Sequence, residues 1–436
     1  MIRMEHLIQH IWKYKLYSPS ELITTSGIPF TVIDAGTQNT HAGPDFFNAK
    51  IKIKDKVWAG NIEIHLSSSD WYKHEHHKDD AYNSTIMHIV TENDCDGIST
   101  KNGNSIPQAI LKVPETVRKN YEYLLHADKG VACLDRITEV SDIFLTDWKS
   151  ALTIERLEAK AQQIYSTLEQ KEDDWEETLY ITLARNLGFG INGDAFERLA
   201  RSLPLKYIQK HQDNLFQVEA MLFGQAGLLS EEEDMADPYY KDMQKEYQFL
   251  KNKFGLQPLD AFLFKKLRTR PFNFPHVKIA QLAAILHHNE HLFSEIVEVR
   301  AVDEYFQFFL PSISEYWLNH YHFQSTSANK SDKKMGLSAL HIILINTVAP
   351  MLFAYGKRKK LNRFVDYALQ LLETIPPERN SIITLFNRAG LGAAHAADSQ
   401  AIIQLMRGYC EKKKCLFCRI GHKLLAKPEV IHEKII

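Results

Sequence analysis

The chain has 436 residues, of which 44% are hydrophobic and 24% charged, and its formal net charge is −2. The length predicts about two or three domains of an ordinary soluble globular protein, and the near-zero charge excludes a chain that coats nucleic acid through bulk charge, leaving a local basic groove as the only electrostatic route to it. Five unevenly spaced cysteines exclude a secreted disulfide framework. The first residues, MIRMEHLIQHIWKYKLY, carry charge and histidine throughout and lack a signal-peptide core, so a cytoplasmic protein is expected.

Met4, Leu7, Ile8, Ile11 and Trp12 recur at helical spacing and predict an amphipathic helix over residues 3–16. Short β-rich runs follow at Thr31–Ile33, Phe46–Ile53, Val57–Leu66 and Thr85–Thr91, and a fifth is expected at Ile106–Val113. Residues 70–84 are polar and histidine-rich and connect two of these strands. After about residue 115 the spacing of apolar residues becomes helical and stays so, as in ALTIERLEAKAQQIYSTL and KIAQLAAILHH. The expected fold class is therefore α+β: an α/β domain over 1–115 with a mixed sheet and flanking helices, then an all-helical region over 116–436. The longest apolar run, Leu337–Tyr355, contains His341, Asn346 and Pro350, and reads as a buried helix pair broken near Pro350 rather than a membrane span.

The most informative segment is GPDFFNAKIKIKDKVWAGNIEIH, residues 43–65. Strand side chains alternate faces, so Asn61, Glu63 and His65 point one way while Ile62 and Ile64 point the other. A carboxylate and an imidazole are thus placed side by side, and Asp45 begins the preceding strand. Eight of the 20 histidines lie in the first ninety residues, and the segment DWYKHEHHKDDAY adds His74, His76 and His77 directly after the motif. Histidine beside carboxylate is the usual composition of a transition-metal site. His88 alternates with Ile86 and Val90 and reads as a core histidine. Trp71 reads as a packing residue or, alternatively, as a platform for an unpaired base.

At the other end, Cys410-x4-Cys415-x2-Cys418 places three thiols within nine residues, enough to reach one zinc ion or an iron–sulfur cluster. Cys133, Cys95 and His422 are the candidates for a fourth ligand. Lys412, Lys413 and Lys414 surround these thiols and are expected to lower their pKa and to suit a phosphate contact. Further basic groups, Arg268, Arg270 and Lys278 in one segment and Lys357, Arg358, Lys359, Lys360 and Arg363 in another, are candidates for nucleic-acid backbone contacts.

The order helix, three strands, crossover, strand, with Asp45 at the start of the second strand and Glu63-x-His65 on the third, resembles the PD-(D/E)xK nuclease superfamily over residues 1–115. The resemblance implies that Asp45 and Glu63 bind a divalent cation, Mg2+ or Mn2+, that His65 stands where a lysine usually orients water, and that Glu5 is the acidic residue of the first helix. It implies phosphodiester hydrolysis in DNA or RNA, with nucleic acid as partner. Two other functions remain open from the residues: a nucleic-acid-binding or scaffold protein that keeps the fold without the reaction, and a zinc or manganese hydrolase centred on His65, His74 and His76. The segments AGPDFFNAKI, GNIEIHLSSSDW, HEHHKDDAY, IERLEAK, EAMLFGQAGLL, RPFNFP and YCEKKKCLFCRIG are similar along the whole chain to a family of Bacteroidetes-type bacterial proteins, domain-of-unknown-function family 2851. That likeness implies no activity, so function rests on the site.

Overall fold

The computed structural model describes residues 2–126, 130–230, 237–299, 301–323 and 325–427. The class is α+β, a mixed sheet in the N-terminal part followed by a largely helical region. Packing divides the chain elsewhere than at the change of pattern near residue 115. One unit comprises residues 1–148, 389–391 and 405–436, and the other comprises 149–388 and 392–404.

The first unit begins with helix α1 (Ile2–Lys13), whose Leu7, Ile8, Ile11 and Trp12 are fully buried. The indole N–H of Trp12 donates to the Ala35 carbonyl at 3.1 Å, which ties the helix to the loop beyond the first strand. The sheet contains β1 (Phe30–Asp34), β2 (Thr37–Gln38), β3 (Phe46–Ile53), β4 (Lys56–Ser67), β5 (Thr85–Glu92) and β6 (Gln108–Ile110). Its order is β1-β3-β4-β5-β6, with the short β2 paired to β3. The β1–β3 and β3–β4 pairs are antiparallel, whereas β4–β5 and β5–β6 are parallel. A parallel return needs a crossover of about a dozen residues or more. Here it comprises helix α2 (Asp70–Lys73) and two 3-10 turns, His76–Lys78 and Asp80–Tyr82. The expected fifth run forms a strand only at Gln108–Ile110, with the Leu111 N–H still donating to the Val90 carbonyl at 2.8 Å.

Two local features of the sheet set the site. Phe46 pairs with Ile62 but Ala49 pairs with Gly60, so β3 carries one extra residue, a bulge at Asn48 with φ 57°. Asparagine tolerates this left-handed conformation better than most residues. The bulge keeps Asp45 opposite Glu63 while the rest of β3 keeps its apolar residues inward. Gly60 is the second feature: a Cβ there would lie 2.3 Å from Ile86 Cγ2 and 2.6 Å from the Ser84 carbonyl oxygen. Only glycine lets the end of the crossover descend so closely onto β4.

The second unit is helical around one continuous core. Leu337–Lys359 is long and apolar enough to cross a membrane by length and composition, with mean hydropathy 1.8, yet 67% of that window is buried. The expected break at Pro350 does not occur. Helix Leu337–Ile343 continues through a π-helical turn, Leu344–Val348, into helix Ala349–Lys359. A π turn alters the hydrogen-bond register just ahead of the proline, where its missing N–H is then accommodated.

Inside this unit Glu219 is fully buried and accepts a hydrogen bond from the Tyr239 hydroxyl. Burial pushes its carboxyl up to about 7, against weaker opposing hydrogen bonds from Tyr239, Ser314 and Trp317. Glutamate in the unfolded chain titrates near 4.3. The folded state thus holds a proton that the unfolded state releases. The resulting stability is full below the unfolded value and is lost as pH rises through the folded value, a total of about 4 kcal/mol. Glu219→Gln should therefore flatten the fall in urea midpoint between about pH 5 and about pH 8. A variant that retains the wild-type slope would show that Glu219 does not carry it.

Candidate metal centre

The alternation of β4 holds, but both of its faces are covered. Ile62 and Ile64 are buried on one face, and Asn61, Glu63 and His65 are buried on the other, beneath the crossover that carries His76. Backbone pairing places Glu63 beside His88 of β5. The turn from Lys73 to Lys78 bends through Glu75 at φ 59° and brings His74 and His76 over the same point.

The result is a convergence of four donors. His65 Nε2 lies 3.3 Å from Glu63 Oε1, 3.1 Å from His74 Nδ1 and 3.4 Å from His76 Nε2. His76 Nε2 is also 3.2 Å from Glu63 Oε1. The three imidazole donor atoms all lie within 4.8 Å of one another, and they form the one such group of three metal-ligating side chains among the described residues. A single hydrogen on His65 Nε2 can serve only one of its three neighbours, so hydrogen bonds alone leave lone pairs facing each other. A cation removes that conflict. An ion of zinc size binds imidazole nitrogen at about 2.0–2.1 Å, which places tetrahedral ligand atoms roughly 3.4 Å apart. The contacts of His65 with Glu63, His74 and His76 have that spacing, with Glu63 touching two of the three imidazoles, and three imidazoles with one carboxylate suit a transition ion better than Mg2+.

The surrounding residues hold the donors in place. His65 Nδ1 is 2.9 Å from His88 Nε2, so a His65 metallated at Nε2 donates its remaining N–H to His88. Burial is the main reason His88 is held down at about 3, which keeps it neutral and able to accept. The backbone N–H of Asp45 donates to Glu63 Oε2 at 3.0 Å and leaves Oε1 facing the histidines. Asp45 in turn accepts from Gln9 Nε2 at 2.8 Å and from the Ile64 N–H at 2.9 Å. Tyr82 stacks on His76 with ring centres 3.9 Å apart, and Trp71 packs edge-on against it.

The two carboxylates respond in opposite directions. Burial and then the Glu63 charge push Asp45 well above the usual carboxylate range, and Glu5 on α1 adds to the push. Burial also raises Glu63, but the hydrogen bonds and charge of His65 and His76 outweigh it and hold Glu63 low. Glu63 is therefore the anion of the cluster. His74 is exposed and Asp45 half-buried, so the site meets solvent along that edge.

Asp45, Glu63, His65, His74 and His76 thus come together, with Glu5 close enough to act on Asp45 through charge. Gln9 was not foreseen, although it lies one helical turn after Glu5 and shares its face. Trp71 is fully buried and hydrogen-bonded to the Ser99 carbonyl, so it offers no face to an unpaired base. Lys278 is buried beside Gln281 and above the Phe189 ring, which removes it from any backbone-contacting surface. Arg268, Arg270, Lys357–Lys360 and Arg363 are exposed. Cys410, Cys415 and Cys418 gather around one cavity with Cys133. Their pKa values move up, not down as the neighbouring lysines suggested, because burial dominates.

Fold and cluster define an α+β protein with a three-histidine, one-carboxylate cluster on a mixed sheet, buried except at His74. The chain belongs to the family described as protein of unknown function (DUF2851), whose model matches residues 5–381. The matched segment holds the whole histidine–carboxylate cluster and ends before YCEKKKCLFCRIG. No curated protein and no solved structure matches the chain.

Proposed function

We propose that this protein is a metal-dependent phosphodiesterase of the nuclease-like kind, with its ion held by His65, His74, His76 and Glu63. The observation that carries this reading is the convergence of those four donors at the spacing of a coordination shell. The phosphodiester class is supported by the position of the cluster: an antiparallel β1-β3-β4 meander, then a crossover to parallel β5, with Asp45 at the start of β3 and Glu63-x-His65 on β4. This is the element order of the PD-(D/E)xK resemblance. The ion, when bound, supplies Lewis-acid activation of water and of a phosphoryl oxygen. Glu63 contributes the ligand charge, His88 orients His65, and Asp45 fixes Glu63 through its backbone N–H and adds a second carboxylate. The exposed basic groups of the helical unit, Arg268, Arg270, Lys357–Lys360 and Arg363, offer contacts to a nucleic-acid backbone.

A second reading rests on the number of donors. Four protein ligands can fill a tetrahedron and leave no open position, which is the pattern of a structural ion. In that case the ion pins the crossover to β4 and performs no chemistry. Cleavage assays separate the two readings. The purified full chain, supplied with Mn2+ or Zn2+, is expected to cut single- or double-stranded DNA or RNA, and Glu63→Ala and Asp45→Ala are expected to lose that activity. Chelator-sensitive cleavage that survives in both variants would rule out the proposed mechanism. Stoichiometric metal with no cleavage of any of these substrates would leave the structural ion.

A further inference from the structure

The first unit contains a second cluster of metal-ligating side chains, separate from the histidine centre. Four of the five cysteines line one cavity: Cys133, and Cys410, Cys415 and Cys418 from the C-terminal segment. They come from distant parts of the sequence, none is in a disulfide, and each is buried or half-buried. The fifth, Cys95, lies in the loop after β5 with its sulfur on the Asp96 carbonyl. His422 is engaged elsewhere, with its Nδ1 3.1 Å from His10 Nε2 and its ring against Tyr14. The fourth ligand position therefore falls to Cys133, not to Cys95 or His422.

Local backbone features bring the thiols to this cavity. Lys413, at φ 51°, reverses the chain between Cys410 and Cys415. Gly421 faces the Cys415 carbonyl so closely that a Cβ would lie 2.2 Å from its oxygen. Without that glycine the short helix Arg419–Leu425 could not close onto the turn that carries Cys415 and Cys418. Around Cys418, the N–H groups of Ile420 and Gly421 favour the thiolate, and so does the Trp148 indole N–H, which has no conventional acceptor. Burial is the main reason the neutral thiols of Cys133 and Cys415 sit at about 12 and about 11, and the neighbouring thiols push them further.

The spacing favours a cluster over a single ion. Four thiolates at about 2.3 Å from one zinc lie roughly 3.8 Å from each other. No three of these thiols come within 4.8 Å of one another, although the histidine donors do. A [4Fe–4S] cubane spreads its ligands, because each thiolate binds a different iron. We propose that Cys133, Cys410, Cys415 and Cys418 hold a [4Fe–4S] cluster that ties the C-terminal segment of this unit to its N-terminal part.

The test uses the full chain, produced with ample iron and purified without oxygen. It should carry thiolate-to-iron charge-transfer absorption in the visible, with about four irons and four acid-labile sulfides per chain. Cys133→Ser and Cys418→Ser should lose most of the sulfide, whereas Cys95→Ser should keep it. His65→Ala should also keep it, since any iron at the histidine centre brings no sulfide. Wild-type protein that contains zinc without sulfide, or neither metal nor sulfide, would overturn the proposal. Because wild-type sulfide content decides the matter alone, a cysteine variant that fails to fold does not blunt the test.

Discussion

His65→Ala is expected to abolish stoichiometric metal binding by the N-terminal centre. His65 Nε2 is in contact with all three other donors, at 3.1–3.4 Å, so its removal takes away the shared corner of the site. Loss of a partner outside the ligand set costs roughly 10–100-fold in metal affinity. His88→Phe, which removes only the acceptor for His65 Nδ1–H, should fall in that range, and His65→Ala should exceed it. Calorimetric titration of metal-free protein with Zn2+ or Mn2+ reads both effects. Stability gives a second measure. An ion present at a thousandfold excess over its dissociation constant stabilises the folded state by about 4 kcal/mol. A chelator should therefore lower the urea midpoint of the wild type and leave that of His65→Ala unchanged. Equal affinity in wild type and His65→Ala would show that the histidines do not hold the ion.

Trp71→Ala is expected to cost about 3–5 kcal/mol of stability, the usual loss for a buried tryptophan truncated to alanine. Trp71 is fully buried in a small core with Tyr82, Ile98 and Ile106, and its indole N–H donates to the Ser99 carbonyl at 3.1 Å. Its ring also packs against His76 and His88, each with ring centres 5.4 Å away. Truncation thus leaves a cavity behind two residues of the centre and weakens metal binding as a consequence. The contrast with His65→Ala is diagnostic, because that variant loses metal without opening a large cavity. Urea unfolding in the presence of chelator isolates the packing effect. A loss below about 1 kcal/mol would mean that this small core does not anchor the crossover.

Much of the sheet was legible because its signals are local. Alternation in Asn61–Leu66 follows from period, and the α1 stripe follows from three- and four-residue spacing. The Glu63–His65 pair was legible for the same reason. Its union with His74 and His76 was legible only as one alternative among three, since it depends on a left-handed residue at Glu75 and on how far the crossover descends onto β4. Gly60 was the available clue to that close approach. The π turn before Pro350 escaped because a proline inside an apolar run has two outcomes, and packing around the helix selects between them. The thiol pKa shifts were misjudged because burial outweighs the one lysine that acts on these sulfurs, Lys413 on Cys415. Cys133 could be named as one of three candidates, but its selection required the positions of Cys95 and His422.

X-ray absorption at the edge of the ion bound in the N-terminal centre tests the central claim most directly. Three imidazoles and one carboxylate predict a nitrogen and oxygen shell at about 2.0–2.1 Å, with outer scattering from about three imidazole rings. That pattern should vanish in His65→Ala. A shell of oxygen alone, or an imidazole pattern unchanged by that substitution, would contradict the account.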